Sequence, residues 1–311
     1  MKEKVIKTIK QFNLIHPGDK LVLGVSGGPD SISMLNILDE IKQELQFEIY
    51  VAHINHMIRE EAEEDEKYVQ SYCEKKGIQC YVKRIDVQQI ANTYKIGTEE
   101  AGRNVRYEFF EEVLQKVGAN KIAIAHNKND KIETIIMNLL RGSGISGLKG
   151  IEPVRDNKYI RPLIECERQE IEEYCEVHQL EPRIDKTNFE NEYTRNKIRN
   201  IVIPYIKDEF NPNIIETIDR LSQVATDESD YINRQTNQIF QKILVEKSEE
   251  QIVLKLKEFN GQDKVIKNRI ILLAVKQLMG STQRIEKIHL EDYLNSQSIY
   301  ARAIYELGKL K

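Results

Sequence analysis

The chain has 311 residues, 40% hydrophobic and 31% charged, with a formal net charge of −4. This is enough for two globular domains. It excludes a membrane span, because no apolar run approaches the roughly 20 residues that cross a bilayer. It also excludes a global basic field for nucleic acid, so any RNA contact falls to local patches. The first residues, "MKEKVIKTIKQFNLI", read as an amphipathic helix without the apolar core of a secretory signal. Cys73, Cys80, Cys166 and Cys175 form no Cys-x-x-Cys. That pattern argues against a zinc or iron–sulfur site and a disulfide scaffold, and predicts free thiols in the cytoplasm.

In chain order, "KLVLGV" (20–25) reads as a short buried strand and 31–45 as a helix. "FEIYVAHIN" (47–55) is a second strand, and 60–77 a charged helix closed by Gly77. "IQCYVKRID" (78–86) is a third strand, followed by a loop over 86–98. The helix 98–118 carries Val105, Phe109, Val113 and Val117 every four residues and closes on Gly118. "NKIAIAH" (120–126) is a fourth strand and 128–142 a further helix. Strands alternating with helices predict an α/β fold, a doubly wound parallel sheet. Beyond 142 the pattern loosens into a glycine-rich loop, the helix "ERQEIEEYCEVHQL" and a polar stretch up to Pro212. Long helical segments follow, with the strand-like piece "QIVLKLKEF". The expected division is 1–214, an α/β domain, and 215–311, a smaller, mainly α-helical domain.

Parallel sheets bind ligands at the carboxyl ends of their strands. That rule selects the loops 26–31, 53–59, 86–98 and 126–133. The first is Ser26-Gly27-Gly28-Pro29-Asp30-Ser31. A strand-to-helix turn of this kind aims backbone N–H groups and a positive helix end at one point, which suits a phosphate. It is not a Walker A loop, since no Lys follows the glycines, and not a Gly-x-Gly-x-x-Gly dinucleotide loop. An aspartate beside phosphates repels them unless a cation intervenes, so Asp30 reads as a Mg²⁺ ligand at a polyphosphate.

His126, Asp130 and Glu133 form a second constellation at the end of the fourth strand. The two carboxylates share a helix face. They either offset the helix dipole or bind a cation, Mg²⁺ or an ammonium group. His53, Asn55, His56 and Arg59 follow the second strand; no further ligand nearby supports a metal there. Arg103 and Arg106 share a face of the 98–118 helix, where solvated pairing with Glu99, Glu100 or Glu108 is the plain alternative. Arg141 precedes Gly142, Gly144 and Gly147, in either a flap or a simple surface loop. Arg195, Asn196, Lys197 and Arg199 form a basic run with two guanidiniums four residues apart, suited to phosphate or RNA. Lys255, Lys257, Lys264, Lys267, Arg269, Lys276, Arg284 and Lys287 make the most basic stretch, either an RNA-backbone surface or a solvated face.

"SGGPDS" after a first strand resembles the pyrophosphate-binding loop of the N-type ATP pyrophosphatases. These enzymes cleave ATP between the α and β phosphates and adenylate a substrate. "VAHINHMIR" (51–59), "TEEAGRNVRYEFFEEV" (98–113), "IAIAHNKNDKIETIIMNLLRGSGISGLKGI" (122–151), "RPLIECERQEIEEYC" (161–175) and "DKTNFENEYTRNKIRNIVIP" (185–204) narrow the resemblance to the tRNA(Ile)-lysidine synthetases. "IKNRIILLAVKQLMGS" and "IEKIHLEDYL" resemble that family's small substrate-binding domain.

The resemblance implies a PP-loop catalytic domain over 1–214 and a tRNA/substrate-binding domain over 215–311. It implies a ligase that uses ATP and Mg²⁺ to attach free L-lysine, through its ε-amine, to carbon 2 of the wobble cytidine of CAU-anticodon tRNA(Ile). The ATP site would be Ser26, Gly27, Gly28, Pro29, Asp30, Ser31 and His53. The catalytic groups would be Asp30, His126, Asp130 and Glu133. Arg106, Arg141, Arg195, Asn196 and Arg199 would meet tRNA or substrate. The alternatives are a PP-loop tRNA thiolase, disfavoured by the scattered cysteines, and a non-catalytic nucleotide- or RNA-binding paralogue. A homodimer is compatible with the resemblance. Longer family members carry a further C-terminal domain, and "NSQSIYARAIYELGKLK" departs from that pattern, as a short form or a truncation would.

Overall fold

The computed structural model describes residues 1–57, 62–183 and 193–279. Arg59, Arg284, Lys287 and the segment 185–192 lie outside the described residues. The chain forms two compact units that part at Ser222/Gln223. This division falls eight residues beyond the expected 214/215 boundary, inside a helix that runs from Ile214 to Ile243. Neither Gly nor Pro interrupts that helix, so nothing local breaks it where the sequence pattern changes.

In the first unit, α1 (Lys2–Gln11), β1 (Lys20–Gly24), α2 (Pro29–Leu45), β2 (Glu48–Asn55), α3 (Ala62–Lys76) and β3 (Cys80–Arg84) follow the expected order. Then come α4 (Val87–Tyr94), α5 (Thr98–Val117), β4 (Lys121–Ile124), α6 (Lys128–Leu140) and α7 (Ile145–Leu148). The hairpin β5 (Val154–Arg155) and β6 (Tyr159–Ile160), α8 (Arg168–Val177), α9 (Thr194–Lys197), a π-helical stretch (Ile198–Val202) and α10 (Ile203–Glu209) lead into α11 (Ile214–Ile243).

The sheet order is β3-β2-β1-β4-β6-β5. All pairings are parallel except β5 with β6. β1 shows why a short apolar run makes a central strand. Leu21 and Leu23 enter the core with α1, α2, α3 and α8, while Val22 enters the opposite core with Phe109, Phe110 and Val113 of α5. Alternate side chains thus leave the strand on opposite faces. Each such fully buried side chain stabilises the fold by roughly 1.5–3 kcal/mol.

Three elements depart from the expectation. The 86–98 loop contains α4, capped by Asp86, whose side chain accepts from the Gln89 amide. With eight residues it is too short for a clear helical period. The glycine-rich 142–151 stretch contains α7. An antiparallel edge, β5–β6, turns at Asp156 and Asn157, both left-handed at φ 55° and 52°. Asp and Asn tolerate that backbone better than most residues.

The second unit is mainly helical. It comprises the rest of α11, the antiparallel pair β7 (Leu244–Lys247) and β8 (Ile252–Leu254), α12 (Leu256–Asn260) and α13 (Lys264–Met279). Phe240, Ile243, Ile252, Phe259, Ile270 and Ala274 form its core. The expected "QIVLKLKEF" strand is β8 and turns into α12. Lys255, Lys257, Lys264 and Lys276 are exposed, while Arg269 donates to Ser229 and Asn233 on α11. Among the described residues no helix is long and apolar enough to cross a membrane. The four cysteines are free thiols, all buried but Cys80, which is half-buried.

Candidate active site

The strand order reverses direction between β1 and β4, and such a switch point opens a crevice at the strands' carboxyl ends. A cleft of about 600 Å³ lies there. All four selected loops line it: Gly28 and Asp30 after β1, His53 and Asn55 on β2, Gln88 and Thr98 around α4, and His126 after β4.

The 26–31 loop is held from within. Ser31 is buried, and its hydroxyl accepts from the amides of Ser26 and Gly27, both at 3.2 Å, and donates to the Gly28 carbonyl at 3.0 Å. Ser31 therefore shapes the loop, while Ser26 is exposed at its rim. Gly27 sits at φ +95°, where a side chain is strained. Gly28 has φ −74° and carries no such requirement. Gly24, just before the loop, has a different need, since an added Cβ would overlap the buried ring of Phe110. Pro29 opens α2 at its first turn, and the Asp30 and Ser31 amides follow, where a helix supplies no internal acceptor.

Asn127, fully buried, couples this loop to α6. Its side-chain nitrogen donates to Asp30 Oδ1 at 2.8 Å, and its oxygen accepts from the Asp130 amide at 2.9 Å. The Asp130 carboxylate accepts in return from the Asn127 amide, completing a capping box. Burial, then the charge of Asp130, push the Asp30 carboxyl up to about 6, against the Asn127 bond. A cation at Asp30 would relieve this. Among the described residues no three His, Cys, Asp or Glu gather into a metal-holding group.

The expected carboxylates and the expected arginines meet each other. Arg195 donates to Glu133 at 2.8 Å and to Asp130 at 3.0 Å. Arg199 donates to Glu133 at 2.6 and 2.9 Å and to Asp130 at 3.2 Å. Arg168 stands 3.9 Å from Asp130 and 3.8 Å from Glu133. Burial opposes the charge of Arg195 and Arg199, but the two carboxylates outweigh it and raise both above the ordinary value.

Two histidines face the cleft in different states. His53 Nδ1 lies 2.8 Å from the Val25 carbonyl. An oxygen there can only accept, so Nδ1 carries the proton. Nε2 is buried with no hydrogen-bond partner among the described residues, and burial lowers the ring's pKa. His126 receives the Nε–H of Arg161 at Nδ1, 3.1 Å away. Burial, then the guanidiniums of Arg161 and Arg195, with Arg103 and Arg106, drive His126 down to about 3.

Arg106 lines the cleft with solvent access, while the surrounding protein still desolvates it and lowers its pKa. Arg103 stacks over Tyr107, its guanidinium carbon 5.0 Å from the ring centre. Arg141 caps the far end of α6, exposed, roughly 16 Å along the helix from Asp130. Asn196 lies on α9 between Arg195 and Lys197. Asn55 donates to Glu66 at 3.1 Å and so ties β2 to α3. Asn127, Arg161 and Arg168 were not singled out by sequence. The Asn127-to-Asp130 spacing is a legible cap signal, whereas Arg161 and Arg168 carry no local one.

The PP-loop domain family model matches residues 1–206. The tRNA(Ile)-lysidine synthase of Clostridioides difficile (strain 630) is 46% identical over 94% of this chain and 64% of its own length. The Clostridium acetobutylicum enzyme of the same name is 48% identical over 94% and 63%. The chain thus spans slightly less than two thirds of these relatives. Among solved structures, the U34-tRNA thiolase NcsA from Methanococcus maripaludis aligns with a TM-score of 0.59 at 20% identity, covering 71% of this chain and 77% of that one. That likeness speaks for the fold. With the phosphate-type loop at the switch point and the model matched from the first residue to α10, this chain belongs to the PP-loop domain family.

Proposed function

We propose that the chain acts as a tRNA(Ile)-lysidine synthetase. The observation that carries the reading is the cleft lined by the 26–31 loop and Asp30, which Asn127 ties to the Asp130–Glu133–Arg195–Arg199 cluster. The names of the relatives support the choice of substrate.

ATP lies with its β and γ phosphates against the loop. The first-turn amides and the positive end of α2 offset the charge growing on the leaving pyrophosphate. The O2 oxygen of the wobble cytidine attacks the α-phosphorus, and the bond to pyrophosphate breaks. The ε-amine of lysine then attacks carbon 2, and AMP departs. Three substrates converge, so positioning supplies much of the rate.

Asp30 would hold the Mg²⁺ ion, which binds with few protein ligands. When bound it would supply charge neutralisation along the triphosphate. Lysine arrives as an ammonium with a pKa of roughly 10.4 and needs a carboxylate partner. Asp130 and Glu133 offer one once the anionic substrates draw Arg195 and Arg199 away. Arg106 and the exposed lysines of the second unit contact the tRNA backbone.

Mass spectrometry of the wobble base after incubation with ATP, Mg²⁺ and lysine tests the reading. Addition of lysine is expected, with lysine-dependent AMP release. No AMP with all substrates present would sink it. Asp30→Ala is expected to abolish AMP release and leave tRNA binding near wild type.

A further inference from the structure

The state of His126 carries consequences beyond its presence in the cleft. Arginine offers donors and no acceptor. At 3.1 Å, Arg161 Nε–H can only donate to His126 Nδ1, so that nitrogen holds a lone pair. The proton of a neutral imidazole then resides on Nε2. Arg161 is itself fixed: it is buried, and another of its nitrogens donates to the Glu152 carbonyl. A second proton on the ring would set N–H against N–H amid the positive charges of Arg161 after β6, Arg195 on α9, and Arg103 and Arg106 on α5.

These four cations also say what the Nε2–H meets. Neutral donors surrounded by guanidiniums sit where an anionic oxygen is favoured, and an ammonium is not. His126 lines the same cleft as Ser26 and Asp30 of the phosphate-type loop. We infer that His126 works as a neutral hydrogen-bond donor through Nε2–H to a phosphoryl oxygen of the bound nucleotide, with Arg161 as the positioning residue that locks this tautomer. The inference rests on the ATP-using reading above. It removes His126 from the groups that take the proton of lysine, since its free nitrogen is already protonated and its other nitrogen is occupied.

Two arms test it on the full chain. In the first, ¹⁵N-histidine NMR follows the six histidines, with His126→Gln identifying the resonance. The wild type is expected to show the Nε2–H form with no midpoint between about pH 5 and 8, far above the value near 3. Arg161→Met is expected to release the tautomer and bring a midpoint into that window, toward the ordinary value of roughly 6.5. A wild-type ring protonated at Nδ1, or titrating in that window, overturns the inference.

In the second arm, pyrophosphate release is measured with ATP and tRNA but no lysine. His126→Ala is expected to slow it about 10²–10³-fold, the usual loss for one transition-state donor. Gln, whose amide N–H reaches the Nε2 position, is expected to recover at least about tenfold of that, and Glu, an acceptor, none. Equal loss in Gln and Ala overturns the donor role. If the wild type releases no pyrophosphate, the lysidine reading fails, and the NMR arm alone decides the tautomer. If Arg161→Met does not fold, the wild-type titration and the Gln/Ala comparison still decide.

Discussion

Arg199 closes on Glu133 at two points, Nε to Oε1 at 2.6 Å and Nη2 to Oε2 at 2.9 Å. Glu133 is 1% exposed, so the carboxylate end of this pair is shielded from water. Two-point contact of this kind fixes orientation as well as charge. It also joins α6, which carries the Asp130 and Glu133 carboxylates, to a helix more than sixty residues later. The carboxylates are thus half of a charge-balanced lock.

Removing the Glu133 charge leaves two guanidiniums to share Asp130 alone. Glu133→Gln is expected to lower stability by about 3 kcal/mol, within the range for buried pairs. Denaturant titration reads this. Lysine KM is expected to rise more than ATP KM. An unchanged lysine KM would show that Glu133 serves the fold alone.

Asn127 bridges the loop aspartate and the α6 cap. Asn127→Ala removes a cap, worth about 1 kcal/mol, and a bond to the Asp30 carboxylate. Thermal unfolding is expected to fall accordingly, and pyrophosphate release to drop about tenfold or more. Asn127→Asp adds a third carboxylate beside Asp30 and Asp130, so its loss of activity is expected to exceed that of Ala. Wild-type activity in Asp would refute the bridging role.

Gly24 leaves no room for a methyl group against Phe110, which is itself buried. Gly24→Ala is expected to destabilise by about 1–3 kcal/mol through overpacking. Adding Phe110→Leu should return part of that loss, read as non-additivity in a double-mutant cycle.

His126 also predicts a pH signature. Its folded-state value, about 3, lies below the unfolded value of roughly 6.5. Between these limits the unfolded chain binds a proton that the folded ring refuses. This group's contribution to stability is therefore full above about pH 6.5 and declines as pH falls toward 3. Because Asp30 is shifted in the opposite direction, the check is the difference between wild type and His126→Gln across pH. That difference is expected to move against the wild type on acidification, and a flat difference would refute it.

Much of this architecture was readable in advance because it is locally encoded. The apolar run of β1, the four-residue period of α5 and the Gly118 cap each state their structure within a few residues, and strands alternating with helices then imply the parallel sheet. The two-residue strands β5 and β6 are too short to show a period. The loop after β1 was legible as a phosphate-type turn, but only the folded backbone separates Gly27, which needs a positive φ, from Gly28, which does not. The site was legible as a set of residues and not as a set of contacts. Nothing near Arg195 in sequence announces Asp130, 65 residues away, and nothing near Arg161 announces His126. Those meetings are made by β6 beside β4 and by α9 against α6.

The two cleft histidines make the crevice directional. His53 keeps a lone pair on its buried Nε2, with no hydrogen to meet it among the described residues; His126 offers a hydrogen in search of a lone pair. A molecule entering the cleft therefore meets a keyed slot. Its His126 side matches an oxyanion, and a guest lying backwards would bring the wrong group to that hydrogen.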